Sequence, residues 1–323
     1  MPAASLVRVV RSGLEESVHR GDIVAVDADG AVVAFVGEPE RLMYARSCMK
    51  PLQATVSLSL APFDFTDREV AVMCASHNAE PVHLEAVRSL LARAGVPESA
   101  LRCPPRRPID EEAAAAAGPP LPIHSDCSGK HGGMLAACRA QGWRLDTYLD
   151  PEHPYQQAVL RAVLTTTGLD GVHVGVDGCG APVHGMPLRS MATIYAQLVR
   201  PDRLGDLAPH AERAVSAMRA EPYMVAGRNR VDTAAMQASP DLVVKAGAEG
   251  LLCAAVPSRG IAVSVKVRDG NSRAAGPALL RSLALLDVLD EGQLEELRPH
   301  ARPDVLGGGR PVGSLVAEFD LTR

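Results

Sequence analysis

Aromatic side chains are scarce in this chain of 323 residues: Phe, Tyr and Trp together make up 3% of it, with a single Trp. Val, Leu, Ala and Met must therefore fill the interior, and 47% hydrophobic content with 22% charge excludes a disordered chain. No apolar run approaches the length that spans a bilayer, and residues 1–13 lack the uninterrupted apolar segment of a secretory signal. No basic block or stripe occurs either. With a net charge of −5 and a pI near 6.1, nucleic acid is excluded as an expected partner, as is a membrane. The seven cysteines form an odd set without a Cys-x-x-Cys pair. In a chain without a secretion signal such thiols are expected to be reduced, buried or metal-bound, which points to the cytoplasm.

Lysine is the sharpest shortage. Of 33 basic residues 29 are arginine, and the four lysines are Lys50, Lys130, Lys245 and Lys266. A lysine amine can lose its proton and act as a base or a ligand, which a guanidinium cannot do. Lys266 alternates with valines in Val263-Ser264-Val265-Lys266-Val267 and reads as the solvent face of a strand. The other three each sit beside residues that give an amine something to do.

Residues 6–36 have a β pattern, in which runs at 23–26 and 31–35 flank Asp27-Ala28-Asp29-Gly30 and predict a hairpin. Further β runs lie at 242–244, 251–256 and 261–267. Paired, the two blocks predict one antiparallel sheet of about five strands formed by both chain ends. Residues 273–289 read as an amphipathic helix whose start Pro277 limits. Helical candidates between the two blocks are 52–60, 81–94, 132–141, 155–166 and 188–199. The Pro/Ala stretch 103–122 reads as an exposed connection or the border of a short helix. The expectation is an α+β fold, antiparallel sheet flanked by helices, in a single catalytic unit over 1–323. Its sheet lobe lies mainly in 1–45 and 240–323, and a mostly helical region with any metal site spans 46–239.

Four stretches can carry chemistry. In Arg46-Ser47-Cys48-Met49-Lys50-Pro51, Ser and Lys three apart share a helical face, and a neutral amine there can take the hydroxyl proton. Pro51 restricts the pair to a helix start, where free N–H groups favour developing negative charge. A lone Ser-x-x-Lys arises often by accident. Cys74-Ala75-Ser76-His77-Asn78 ends the apolar run 70–74, read as a buried strand; the bland reading is a strand end with turn bonds. Lys245-Ala246-Gly247 closes another apolar run, and alone it reads as a solvent-facing lysine before a turn. Together, Ser-x-x-Lys, Ser-x-Asn and Lys-x-Gly follow the order of penicillin-binding proteins and class A β-lactamases, although the gap from Ser47 to Ser76 is short. The fourth feature has no counterpart there: Asp126-Cys127-Ser128-Gly129-Lys130-His131-Gly132-Gly133, with Val176-Asp177-Gly178-Cys179-Gly180 further on. It is no phosphate loop, since the upstream glycine and following Ser/Thr are missing. Two cysteines in polar, Gly-rich loops suit zinc or another soft metal, with His124, His131 or His184 as the usual kind of third ligand.

These motifs together resemble the rhizobial-type L-asparaginases, a group distinct from the threonine-nucleophile bacterial enzymes and the N-terminal-nucleophile plant type. The resemblance covers nearly the whole chain. It rests on residues 46–53, 74–78, 126–131, 177–180, 243–247 and the tail 309–313. It implies a fold similar to glutaminases and serine β-lactamases, a homodimer, and hydrolysis of L-asparagine to aspartate and ammonia. It further implies Ser47 as nucleophile activated by Lys50, with Ser76 and Lys245 as a second hydroxyl/amine set. A zinc held by Cys127, Cys179 and the neutral amine of Lys130, with Asp177 close by, is implied as well, and displaces histidine as the third ligand. Arg46, His77, Asn78 and Asp177 are the candidates for binding substrate. The rivals are a glutaminase or another serine amidohydrolase of this fold, and a non-catalytic zinc protein that binds amide amino acids.

Overall fold

The computed structural model describes residues 3–323. In chain order the first elements are β1 (Ala4–Arg11), β2 (Leu14–Asp27), β3 (Val32–Val36), β4 (Leu42–Tyr44) and a 3-10 turn at Arg46–Met49. Helices α1 (Lys50–Leu60), α2 (Asp67–Met73), α3 (Pro81–Arg93), α4 (Glu111–Ala116), α5 (Ser128–Ala140) and α6 (Pro154–Thr167) follow. Then come β5 (His173–Val176), β6 (Pro182–Pro187), α7 (Leu188–Leu198), α8 (Ala208–Ala220), α9 (Pro222–Val225) and α10 (Val231–Ala238). The C-terminal part holds β7 (Val243–Gly247), β8 (Leu251–Val256), β9 (Ile261–Val267), α11 (Ala275–Leu285), β10 (Asp304–Gly307) and β11 (Arg310–Ala317).

These elements form two compact units. The first contains the chain up to Cys48, Met186–Arg200 and Ala234–Arg323; the second contains Met49–Gly185 and Pro201–Thr233.

In the first unit an antiparallel sheet runs β10-β11-β1-β2-β9-β8-β7, with β3 also on β2. Strands from both chain ends build it, and Ile23 pairs Val36 in the expected hairpin. The Asp27 carboxylate accepts the N–H groups of Asp29 and Ala31, and Gly30 takes the left-handed φ of +78° that closes the turn. The sheet has eight strands rather than about five. The extra ones are β1 and the pair β10–β11, whose short, Gly- and Pro-punctuated segments carry little apolar alternation. Strand β8 is buried at every position, so both its faces are covered, and α7 and α11 both pack over β8 and β9. Lys266, expected on the solvent face, is only half-exposed: its amine donates to the Val267 and Glu249 carbonyls.

In the second unit α5 is the central helix. Every residue from Ser128 to Cys138 is buried, with α1, α2 and α3 packed against it. Two sequence expectations are corrected here. The apolar run ending at Cys74 is a helix, not a strand. Thr66 caps it: its hydroxyl accepts the Glu69 N–H while the Glu69 carboxylate accepts the Thr66 N–H, the reciprocal box read as Thr-x-x-Glu. Likewise α5 begins at Ser128, not 132, so the Ser-Gly-Lys-His run is a first helical turn and not a loop. Its glycines have a packing reason: a Cβ on Gly129 would fall 2.0 Å from the Val72 carbonyl oxygen, and one on Gly132 would fall 2.7 Å from Leu90. The stretch 103–122 contains the short helix α4, capped by Asp110.

Candidate active site

In the first unit, the 3-10 turn after β4 carries Ser47, which is partly exposed. Arg46 opens the turn at φ +43°, a left-handed backbone that costs a non-glycine residue about 1–3 kcal/mol. Its guanidinium is 4.0 Å from Glu249. Next to Ser47, the Cys48 thiol donates to the Lys245 carbonyl at 3.1 Å, and the Cys48 carbonyl accepts the Tyr195 hydroxyl at 2.8 Å. Gly247 permits this approach, since a Cβ there would sit 3.0 Å from the Cys48 sulfur. The turn bearing Ser47 is thus pinned to β7, the sheet-edge strand bearing Lys245. The Lys245 side chain is wholly buried, against the solvent-facing reading, and its Nζ donates to the Ala246 carbonyl at 2.6 Å.

The turn runs directly into α1, with Pro51 in the first helical positions where its missing N–H is harmless. Lys50, in the second unit, is 1% exposed. Its Nζ donates to the Ala75 carbonyl (2.6 Å) and the Ser76 hydroxyl (2.8 Å), with the Asp126 carbonyl at 3.4 Å and its carboxylate at 3.8 Å. The Cys74–Asn78 stretch follows α2 immediately, so the Thr66 cap and the α2–α5 contact fix where Ser76 stands.

His77 and Asn78 are held by the protein. The Ala79 N–H donates to His77 Nδ1 (3.1 Å), which leaves the ring hydrogen on Nε2, where it is donated to Ser128 Oγ (2.9 Å). Burial, then the neighbouring His83, keeps the pKa of His77 well below the usual histidine range, so the ring is neutral. Asn78 donates to Glu80 and to the Arg228 carbonyl, and its own oxygen accepts Arg230 Nη1 at 2.9 Å. Both side chains brace the Ser76 segment.

The thiol cluster forms in the same unit. Cys179 stands in the tight Asp177–Gly180 turn between β5 and β6, closed by Gly180 at φ +86°. Lys130, buried on the first turn of α5, donates to the Cys179 sulfur at 3.0 Å. The Cys127 thiol donates to the Asp126 carboxylate at 3.7 Å, and the interaction between the Cys127 and Cys179 sulfurs pulls the pKa of Cys179 far down and pushes that of Cys127 up. Burial opposes a charged Lys130, but the sulfurs of Cys179 and Cys127 and the Asp177 carboxylate together raise its pKa. By contrast Cys103 and Cys138, buried thiols outside the cluster, are pushed up to about 11 and about 12. The Tyr148 hydroxyl accepts the Arg102 N–H and is hydrogen-bonded to His131 Nδ1 at 2.6 Å. His131 Nε2 is buried beside Cys179 and has no partner in hydrogen-bond geometry. Among the described residues no three His, Cys, Asp or Glu side chains converge as a metal site, so a metal here needs the lysine amine as third ligand. Two sulfurs and one amine fit a soft divalent ion.

A family model of L-asparaginase II matches residues 7–317. The chain belongs to the L-asparaginase II family. This agrees with the resemblance read from the motifs, and membership makes the chain an amidohydrolase acting on a small molecule. No curated protein matches it. Among solved structures it is similar to a β-lactamase from Mycobacterium bovis, at 15% identity over 83% of this chain and 95% of that one, with a TM-score of 0.46. It is also similar to a Bacillus subtilis glutaminase in covalent complex with 5-oxo-L-norleucine, at 12% identity, 83% and 88% coverage and a TM-score of 0.43. Sequence reading of this family member missed two residues that touch the motif. Asp126 was visible inside its motif and given no role; Arg230 belongs to no motif. No helix among the described residues is long and apolar enough to cross a membrane.

Proposed function

We propose that this member of the L-asparaginase II family hydrolyses L-asparagine to L-aspartate and ammonia through an acyl-enzyme on Ser47. The observation that carries the reading is the Lys50 amine: 1% exposed, 2.8 Å from Ser76 Oγ, and three residues from Ser47 in one continuous helical run. Lys50 takes the Ser47 proton as the oxygen attacks the side-chain amide carbon. Backbone N–H groups at the start of α1 hold the oxyanion. The C–N bond breaks and the leaving amine takes a proton through Ser76 and Lys245, so ammonia departs. Water then attacks the ester, and Ser47 recovers its proton as aspartate leaves.

The resident metal of this reading is zinc, held by Cys127, Cys179 and Lys130, with Asp177 and His131 beside the ligands. When bound it supplies positive charge that orients the substrate or polarises a carbonyl. The enzyme works as a cytoplasmic homodimer, which predicts a solution mass of twice the 34.0 kDa chain.

Ammonia release from L-asparagine, L-glutamine and hydrolysis of a chromogenic β-lactam, with metal content on the same sample, tests the reading. Release from asparagine with about one zinc per chain is expected. One methylene is worth only about 1–3 kcal/mol, so some glutamine turnover is compatible. Amino-acid binding without ammonia release favours the non-catalytic zinc protein instead.

A further inference from the structure

Resting on the amino-acid amidohydrolase reading above, we propose that Arg230 binds the α-carboxylate of the substrate. The segment carrying it is laid along the Ser76 stretch: Ser76 N–H donates to the Val225 carbonyl (3.0 Å), Asn78 N–H to the Ala226 carbonyl (2.8 Å), and the Asn78 amide to the Arg228 carbonyl (2.9 Å). The chain then turns sharply. Gly227 has φ +114° and no room for a side chain, since a Cβ would meet the Glu80 carboxylate at 2.4 Å, and Asn229 is left-handed at φ +59°. Such a backbone fixes where the next arginine emerges.

Two arginines flank that strained asparagine and differ in what holds them. Arg228 is neutralised by carboxylates, with Glu112 at 2.7 Å, Asp110 at 3.7 Å and Glu80 at 3.8 Å. Arg230 has no carboxylate within 4 Å among the described residues. Its Nη1 donates to Asn78 Oδ1 at 2.9 Å and to the Ser76 carbonyl at 3.3 Å. A guanidinium has five N–H groups, and those of Nε and Nη2 have no protein acceptor among the described residues. A half-buried cation anchored at one nitrogen, with a free two-nitrogen edge, suits a carboxylate.

The position suits the size of the substrate. In asparagine the carboxylate carbon and the amide carbon are three C–C bonds apart, at most about 4 Å at about 1.5 Å per bond. A carboxylate anchor must therefore stand within a residue or so of the groups that handle the amide. Arg230 touches the carbonyl of Ser76, whose hydroxyl is bonded to Lys50. This assignment also explains why Asn78, an expected substrate ligand, has its side-chain oxygen turned to Arg230: it orients the guanidinium.

The experiment compares wild type with Arg230→Gln on L-asparagine, on succinamate (carboxylate kept, amine removed) and on 3-aminopropanamide (amine kept, carboxylate removed). The expected result is a KM for asparagine and succinamate raised about 100-fold, the factor of a lost charge-assisted pair, with kcat reduced far less. Turnover of 3-aminopropanamide should change less than about threefold under the same principle. Equal losses on all three amides, or unchanged asparagine kinetics, overturn the assignment. If wild type releases ammonia from none of them, the proposed function fails, and calorimetric binding of L-asparagine decides Arg230 separately. Binding by wild type and its loss in Arg230→Gln then supports the anchor; equal binding, or none by wild type, overturns it.

Discussion

Replacing Lys50 separates a catalytic amine from a structural peg. Lys50→Met keeps an unbranched chain of similar length and removes every donor at a site that is 1% exposed. The Ala75 carbonyl, now 2.6 Å from Nζ, loses its donor, and so does Ser76 Oγ at 2.8 Å. Each lost hydrogen bond is worth about 0.5–1.5 kcal/mol, and leaving a buried acceptor unsatisfied adds about 1–3 kcal/mol, so the net loss is about 2–4 kcal/mol. At about 2 °C per kcal/mol for a chain of this size, the melting midpoint should fall by about 4–8 °C. The kcat for ammonia release should fall about 10²–10⁴-fold or more, the range for a missing general base. Lys50→Arg is the companion variant: it restores donors but stays protonated and cannot act as a base, so it should recover much of the stability and none of the rate. Folded Lys50→Arg with wild-type kcat refutes the base role outright, and Lys50→Met within tenfold of wild type does the same.

Three further outcomes follow from the second unit. Gly129→Ala places a Cβ 2.0 Å from the Val72 carbonyl, so denaturant unfolding should show a loss of about 3 kcal/mol or more and metal content should drop with it; wild-type stability contradicts the close approach of α2 and α5. Thr66→Ala removes one half of the α2 capping box and should cost about 1 kcal/mol by the same measurement. Burial lowers the pKa of His184 to about 4, below its unfolded value, so between pH about 6.5 and about 4 the unfolded chain binds a proton the folded chain refuses. Stability should therefore fall with pH across that window by up to about 3 kcal/mol, and His184→Asn should flatten the slope; an unchanged slope contradicts the neutral, buried ring.

The family and the burial of the motif lysines were more legible than the local structure. Three of four lysines stood in motifs, and all three are buried. The hairpin at Asp27–Gly30 followed from turn chemistry alone. Helix α5 was read short because Gly129, Gly132 and Gly133 weaken helix propensity, whereas their role is to let α2 and α3 approach. Helix α2 was mistaken for a strand because five apolar residues in a row carry no period; the Thr66/Glu69 box was the available signal. Arg230 was invisible for another reason. Its partners are a carbonyl and an amide some 150 positions away, and no local pattern encodes a contact of that separation.

The central claim is that Ser47 is the nucleophile. Its most direct test is peptide mapping by mass spectrometry after treatment with 5-diazo-4-oxo-L-norvaline, an electrophilic analogue of asparagine. The account predicts one adduct per chain on the peptide containing Ser47, prevented by L-aspartate and absent in Ser47→Ala. An adduct on Ser76 or Cys127 instead, or ammonia release that persists in Ser47→Ala, contradicts it.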